Sequence, residues 1–303
     1  MSVLSLILNF FTRSLPENPG YPEREVMVVS AESDADWMMI SPCSSRGFSS
    51  LQRAELWRES IARAEGARLS YDAALEKISS NLEDRQRRDI EVDLGRSGAG
   101  ILYCGKTDVL ERVLKAYAIR NPTVGYVQGL NMIAAQFLVL GLSEEEAYLG
   151  LSVLVEQVAS DYYTRGFPGF FDDMRLLESL ISKHYPEIYA FLHGFEDPSL
   201  SLLSDQNALT LFTISLPPAA LLRVWDRILE HGRRGLVAAQ LAVLVSVFRD
   251  FMDVKFGPDD FPLYSALFKK KVSMMDKDKV GGLIDDIDKN LQMPEIREIQ
   301  SFK

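Results

Sequence analysis

The stretch Leu130-Asn131-Met132-Ile133-Ala134-Ala135-Gln136-Phe137-Leu138-Val139-Leu140-Gly141-Leu142 decides the fold class. Its apolar residues cover most faces of a helix instead of one stripe, so it reads as a central helix surrounded by others. It falls short of the ~20 residues that a membrane-spanning helix needs, as does the apolar run Leu236 to Phe248, which also contains Gln240 and Ser246. Around it the period is helical almost everywhere. Upstream, Leu56, Trp57 and Ile61 begin one amphipathic stretch, and Val109, Leu110, Val113, Leu114 and Tyr117 share a stripe of another, with Thr107 as its N-cap. Downstream, helices are expected at Glu144–Val158, Asp173–His184, Pro186–His193, Leu209–Leu216, Pro218–His231, Leu236–Phe251 and Phe261–Met274. Pro217 or Pro218 should sit in the first turn of its helix, with Leu222, Trp225 and Leu229 facing the core. The last helix, Lys277–Leu291, places Val280, Ile284, Ile287 and Leu291 on one face. Strand-type alternation is nearly absent and no Asn-Gly or Asp-Gly hairpin signal occurs. The reading is an all-α chain without a fixed-period repeat.

Composition narrows the functional classes. The 303 residues are 47% hydrophobic and 25% charged, which excludes wholesale disorder, and a net charge of −10 repels a phosphate backbone and argues against a dedicated nucleic-acid binder. Cys43 and Cys104 lack zinc-site spacing, and His184, His193 and His231 form no local ligand pattern, so neither a disulfide framework nor a metal site is expected, as suits a reducing cytoplasm. At the N-terminus Val3, Leu4, Leu6, Ile7, Leu8, Phe10 and Phe11 resemble a short signal core, but no basic side chain precedes them and no small-residue cleavage pattern follows. Residues 1–45 are expected as a tail and linker, docked or poorly ordered, with a weak membrane or partner anchor as the alternative. Residues 292–303 are expected as a C-terminal tail.

Polar residues at helix edges carry the candidate chemistry. Ile90-Glu91-Val92-Asp93-Leu94-Gly95-Arg96 sets a carboxylate three residues before an arginine. Gly125-Tyr126-Val127-Gln128-Gly129-Leu130-Asn131 sets Tyr, Gln and Asn between and beside two glycines just ahead of the apolar helix. Glycine permits close backbone approach, and the helix behind is a rigid mount. On spacing alone, Asp93–Arg96 reads equally as a local ion pair or a solvated turn, and Gln128 as a helix-capping amide.

Between these two stretches, Gly100-Ile101-Leu102-Tyr103-Cys104-Gly105-Lys106-Thr107 satisfies the P-loop pattern G-x-x-x-x-G-K-T. A P-loop needs a buried strand that delivers the chain into its first glycine so that backbone N–H groups wrap a phosphate. Asp93, Gly95, Arg96, Ser97 and Gly98 lead in here, and the best candidates for a magnesium-binding aspartate, Asp226 and Asp250, end helical runs. The pattern is expected to be a chance match.

Several motifs in one order resemble the TBC domain of Rab GTPase-activating proteins: Arg46-Gly47-Phe48 with Leu51-Gln52-Arg53 and Leu56-Trp57, then Ile90-x-x-Asp93-x-x-Arg96, then Asn121-Pro122-x-x-Gly125-Tyr126-Val127-Gln128-Gly129-Leu130-Asn131. Glu145-Glu146-Ala147-Tyr148, Leu209-Thr210-Leu211-Phe212 and Leu222-Arg223-Val224-Trp225-Asp226 continue the likeness to about Lys271. The resemblance implies an irregular multi-helix TBC-type domain of two helical subdomains over residues 46–291. It implies a GTPase activator that lends catalytic groups in trans to a GTP-bound Rab partner. Arg96 would be the arginine finger and Gln128 the glutamine finger, with Asp93 orienting Arg96 and Tyr126 and Asn131 bracing the Gln128 turn. Arg96 on a loop and Gln128 at a helix start should open onto one concave surface. Magnesium and GTP would belong to the partner, so no cofactor is expected. The implied setting is cytoplasmic, with peripheral attachment to endomembranes as an alternative. Trp225 and Asp226 read as structural. Departures are Arg96-Ser97 for the usual Arg-Thr, Asn207-Ala208 for a Trp-Phe pair, and the glycine-rich connection after Arg96. The competing readings are a TBC-like scaffold that binds a Rab without accelerating it, and a P-loop nucleotide hydrolase through Gly100–Thr107.

Overall fold

The computed structural model describes residues 50–64, 69–95, 97, 105–275 and 277–299. All regular structure among them is helical. The chain divides after Leu151 into two compact units.

The first unit contains α1 (Ser50–Ala64), α2 (Tyr71–Asn81), α3 (Asp84–Leu94), α4 (Thr107–Arg120) and α5 (Leu130–Val139), with the division falling inside α6 (Glu144–Val153). α2, α3 and α5 all pack on α4, whose Leu110, Val113, Leu114 and Tyr117 are buried as the stripe predicts. Thr107 is the first helical residue and not the N-cap; Lys106 takes that place after Gly105 turns the chain at φ +62°. α5 buries Leu130, Ile133, Ala134, Ala135, Phe137 and Leu138, and Phe137 meets Trp57 of α1 edge to face at 5.7 Å between ring centroids. The helix stops three residues short of Leu142. Gly141 adopts φ +85°, its N–H bonding to the Leu138 carbonyl and that of Leu142 to the Phe137 carbonyl, the paired bonds of a Schellman cap.

The second unit continues through a π-helical turn (Leu154–Val158) into α7 (Pro168–His184), α8 (Pro186–Leu192), α9 (Leu200–Leu209), α10 (Pro218–His231), α11 (Arg233–Arg249), a 3₁₀ turn (Pro258–Asp260), α12 (Phe261–Ser273), α13 (Lys277–Asn290) and α14 (Pro294–Arg297). Here α11 is the core helix, buried without a break from Gly235 to Val245. Each unit therefore has an apolar helix at its centre, where the sequence suggested one for the whole chain. Small residues let neighbours close on α11: a Cβ on Gly235 would lie 2.3 Å from the Arg227 carbonyl of α10. Pro218 stands in the first turn of α10, and Trp225 and Leu229 are buried, but Leu222 is only half-buried because Leu221, Val224 and Ile228 hold the inward face.

The helix expected over Leu209–Leu216 does not form. α9 ends at Leu209, and Leu211 (φ 47°) and Phe212 (φ 67°) turn left-handed. Both side chains are fully buried, the Trp225 indole N–H donates to the Leu211 carbonyl at 2.8 Å, and the Phe212 N–H bonds to the Asn207 carbonyl at 2.7 Å. Burial and these bonds offset a backbone conformation that costs about 1 kcal/mol or more per residue. Asn207 and Ala208, in the last turn of α9, are themselves buried.

Candidate functional site

α3 fixes one wall of the site. Ile90 and Leu94 are buried on the side toward α4, while Asp93, one position round the helix, is buried toward the segment 121–131. That segment is shaped by its glycines. Gly125 has φ +61° and lies against the Gln86 side chain, whose Nε2 would be 2.3 Å from an added Cβ. Gly129 has φ +106° and is the N-cap of α5. Both positions need glycine, one for close approach and both for the left-handed turn.

A buried hydrogen-bond network joins the two stretches that the sequence singled out. The Tyr126 hydroxyl donates to Asp93 Oδ2 at 2.9 Å. Asn131 Nδ2 donates to the Asp93 carbonyl at 3.0 Å and to Ser97 Oγ at 3.1 Å, and Ser97 Oγ in turn donates to the same carbonyl at 3.0 Å. Asn131 Oδ1 accepts the Gly129 N–H at 3.1 Å. Asp93, Ser97 and Asn131 are buried, and burial and then the Asp93 charge push the Tyr126 hydroxyl far above its ordinary pKa, so it remains a donor. Unpaired polar groups at this depth would each cost ~1–3 kcal/mol, which makes the network a rigid clamp.

Arg96 lies outside the described residues. The chain on either side of it is held: Gly95 caps α3, and Ser97 is pinned by Asn131. In sequence Ser97 reads only as a hydroxyl in the place of threonine, and that hydroxyl is the one signal of its place in the clamp. Gln128 is half-buried in the turn, two residues ahead of α5 and not at its first position, and its amide makes no hydrogen bond to a described residue. It does not cap the helix, and the loop's amide bonding falls to Asn131 instead. Its donor and acceptor atoms are therefore uncommitted among the described residues. Among the described residues no group of His, Cys, Asp and Glu could hold a metal ion.

Of the P-loop pattern, Gly100 to Cys104 lie outside the described residues, as do Gly98 and Ala99 just before it. The last described element before it is the helix α3, and the Lys106 ammonium donates to the Leu138 carbonyl at 2.7 Å. There it satisfies the C-terminal end of α5, a place that favours a cation. No helix among the described residues is long and apolar enough to cross a membrane.

A sequence model of the Rab-GTPase-TBC domain matches residues 51–252. TBC1 domain family member 2A of Homo sapiens is 34% identical over 192 residues, 61% of this chain but 20% of that protein, so the chain spans about a fifth of that relative's length. Among solved structures, the Chlamydomonas flagellar RabGAP TBC domain superposes with a TM-score of 0.65 at 24% identity, covering 87% of this chain and 92% of that one. The Ypt/Rab-GAP domain of Gyp1p gives a TM-score of 0.61 at 17% identity over 84% and 95% of the two chains. The structural likenesses are of fold; the sequence match extends over most of the folded part and includes both halves of the clamp. This chain belongs to the Rab-GTPase-TBC domain family.

Proposed function

We propose that the chain activates a Rab-type small GTPase by lending Arg96 and Gln128 to its bound GTP. The observation that carries this reading is the clamp: Asp93 and Ser97, three residues before and one after Arg96, are tied to Tyr126 and Asn131, which bracket Gln128. The segments that flank the two groups, which are 32 positions apart in sequence, are thereby joined, and this supports their acting together.

Hydrolysis of GTP spreads negative charge over the transferring phosphoryl oxygens and the leaving oxygen, so an activator contributes chiefly position and electrostatic stabilisation. The Arg96 guanidinium stays protonated and can meet phosphate oxygens at two points. The Gln128 amide can accept from the attacking water while donating elsewhere, holding the water in line without itself ionising. Asp93 and Asn131 act through the backbone that they fix, and Tyr126 locks Asp93. Nucleotide and magnesium come with the GTP-bound partner, and this chain supplies no cofactor. Action at endomembranes belongs to the same reading, since the partner would be met there.

Single-turnover GTP hydrolysis by a panel of Rab proteins, with and without the chain, tests the reading. Acceleration of at least one member is expected, and Arg96→Ala should remove most of the ~10³–10⁵-fold that such an arginine supplies. Arg96→Lys should rescue poorly because an ammonium lacks the planar fork, and Gln128→Ala should also slow the reaction. Lys106→Ala should have a modest effect. A chain that binds Rab proteins without accelerating any would be a scaffold; nucleotide binding by the isolated chain that Lys106→Ala abolishes would establish a P-loop instead.

A further inference from the structure

Among the described residues five large apolar side chains are exposed, and four of them lie on or beside α12: Val254 (44%), Leu263 (54%), Leu267 (36%) and Met274 (67%). Leu263, Leu267, Lys270 and Met274 follow one another at i, i+4, i+7 and i+11, so they form a single stripe. The opposite side of α12 is filled by Phe261, Tyr264, Phe268 and Val272, all buried, and packs on α11. The stripe is therefore a second apolar face on a helix whose first face already serves the core. Exposed apolar side chains grouped on one helix face in this way mark an interaction site.

Charge indicates the occupant. Asp259 and Asp260 stand at the N-terminal end of α12, and Lys270 and Lys271 in its last turns. Neither Asp259 nor Lys270 has an ion-pair partner among the described residues, and Lys271 makes only a loose pair with Asp250 at 3.6 Å. An anionic bilayer would meet Asp253, Asp259 and Asp260 at the same end of the face, on a chain of net charge −10. A helix with one acidic and one basic end is instead complementary to its own reverse.

We propose that a second copy of this chain covers the stripe, with α12 packed antiparallel on α12 about a two-fold axis near Ser265. In that register Leu263 meets Leu267 of the second copy, and the reverse contact repeats across the axis. Lys270 comes within reach of Asp259 of the second copy and Lys271 within reach of Asp260, on both sides of the axis, because equivalent flanks face each other in a two-fold antiparallel pair. Met274 lies toward Phe256 of the second copy, a half-buried ring just ahead of the 3₁₀ turn. The helix dipoles oppose favourably as well. A single helix pair is at the small end of specific interfaces, so the dimer depends on concentration.

Sedimentation equilibrium of the full chain from roughly 1 to 200 µM at low salt tests this. The mass should rise from the 34.1 kDa of one chain toward twice that value. Leu263→Asp should hold it at the monomer mass. K270E and D259K alter exposed side chains and should leave the melting temperature unchanged, yet each alone should also remain monomeric, because both 270–259 contacts of the pair become repulsive. An equimolar mixture of K270E and D259K should dimerise again, since both ends of the mixed pair regain opposite charges. A wild-type chain monomeric throughout, a dimer that survives Leu263→Asp, or a mixture that stays monomeric would each overturn the proposal. So would a monomer that binds phosphatidylserine vesicles in a Leu263-dependent manner.

Discussion

Asp93 is held at two points by the 126–131 segment. Tyr126 reaches its carboxylate and Asn131 its carbonyl, and neither needs to touch the reacting atoms for its loss to be felt. Tyr126→Phe keeps the ring and removes one bond to a buried carboxylate, so it should cost ~1–3 kcal/mol in urea unfolding and lower GTPase activation with it. Asn131→Asp is the more telling change. It keeps the acceptor for the Gly129 N–H but turns the donor toward the Asp93 carbonyl and Ser97 Oγ into a second acceptor. Its activation should fall further than that of Tyr126→Phe at matched temperature. If both variants activated like the wild type, the clamp would not be what positions the site. The partner residues of Asp93 stand 33 and 38 positions away, a separation at which no periodicity carries information. Tyr126 and Asn131 were named from the motif; which atoms they would hold was not legible in it.

At the scale of elements, two turns decide what the helices present. Gly125 is constrained by its φ and by Gln86, so Gly125→Ala should destabilise by roughly 1–3 kcal/mol. Adding Gln86→Ala should restore the part due to the clash and leave the part due to the backbone, a coupling that a double-mutant cycle measures. The second turn, Thr210 to Ser215, has apolar residues that fit a helical period, yet it forms no helix. Leu211 and Phe212 go left-handed under the influence of Trp225, 14 positions later. Trp225→Ala should cost ~3–5 kcal/mol, losing a buried ring and orphaning the Leu211 carbonyl, and activity should follow stability. A variant that kept its melting temperature while losing activation would move Trp225 into the site. By contrast, the end of α5 at Gly141 and the start of α10 at Pro218 follow from residues whose backbone chemistry is local.

For the whole molecule, acid stability depends on long-range ion pairs such as that of Glu144. Arg112 grips its carboxylate with two bonds at 2.6 and 2.7 Å, Tyr71 adds its hydroxyl, and the Arg112 hydrogen bonds chiefly hold the carboxyl below its ordinary value of 4.5. A carboxyl depressed in the folded state contributes fully above the unfolded value and loses that contribution as the pH falls through the folded one. Glu144→Gln should therefore flatten the decline of stability below about pH 4.5, and an acid limb identical to the wild type would show that other groups govern it. The α-helical class, the buried stretch from Leu130 and the two motif segments were set by the sequence alone, because helical period, glycine and proline act over a few residues. The place of the division, after Leu151, and the separate apolar helix of each unit needed the tertiary structure, as did the turn after Leu209, the commitment of Lys106 to the end of α5 and the joining of Asp93 and Ser97 to the 126–131 turn. Each of these depends on which distant groups meet once burial has brought them out of water, and a donor or acceptor then takes the partner within reach, whatever its distance along the chain.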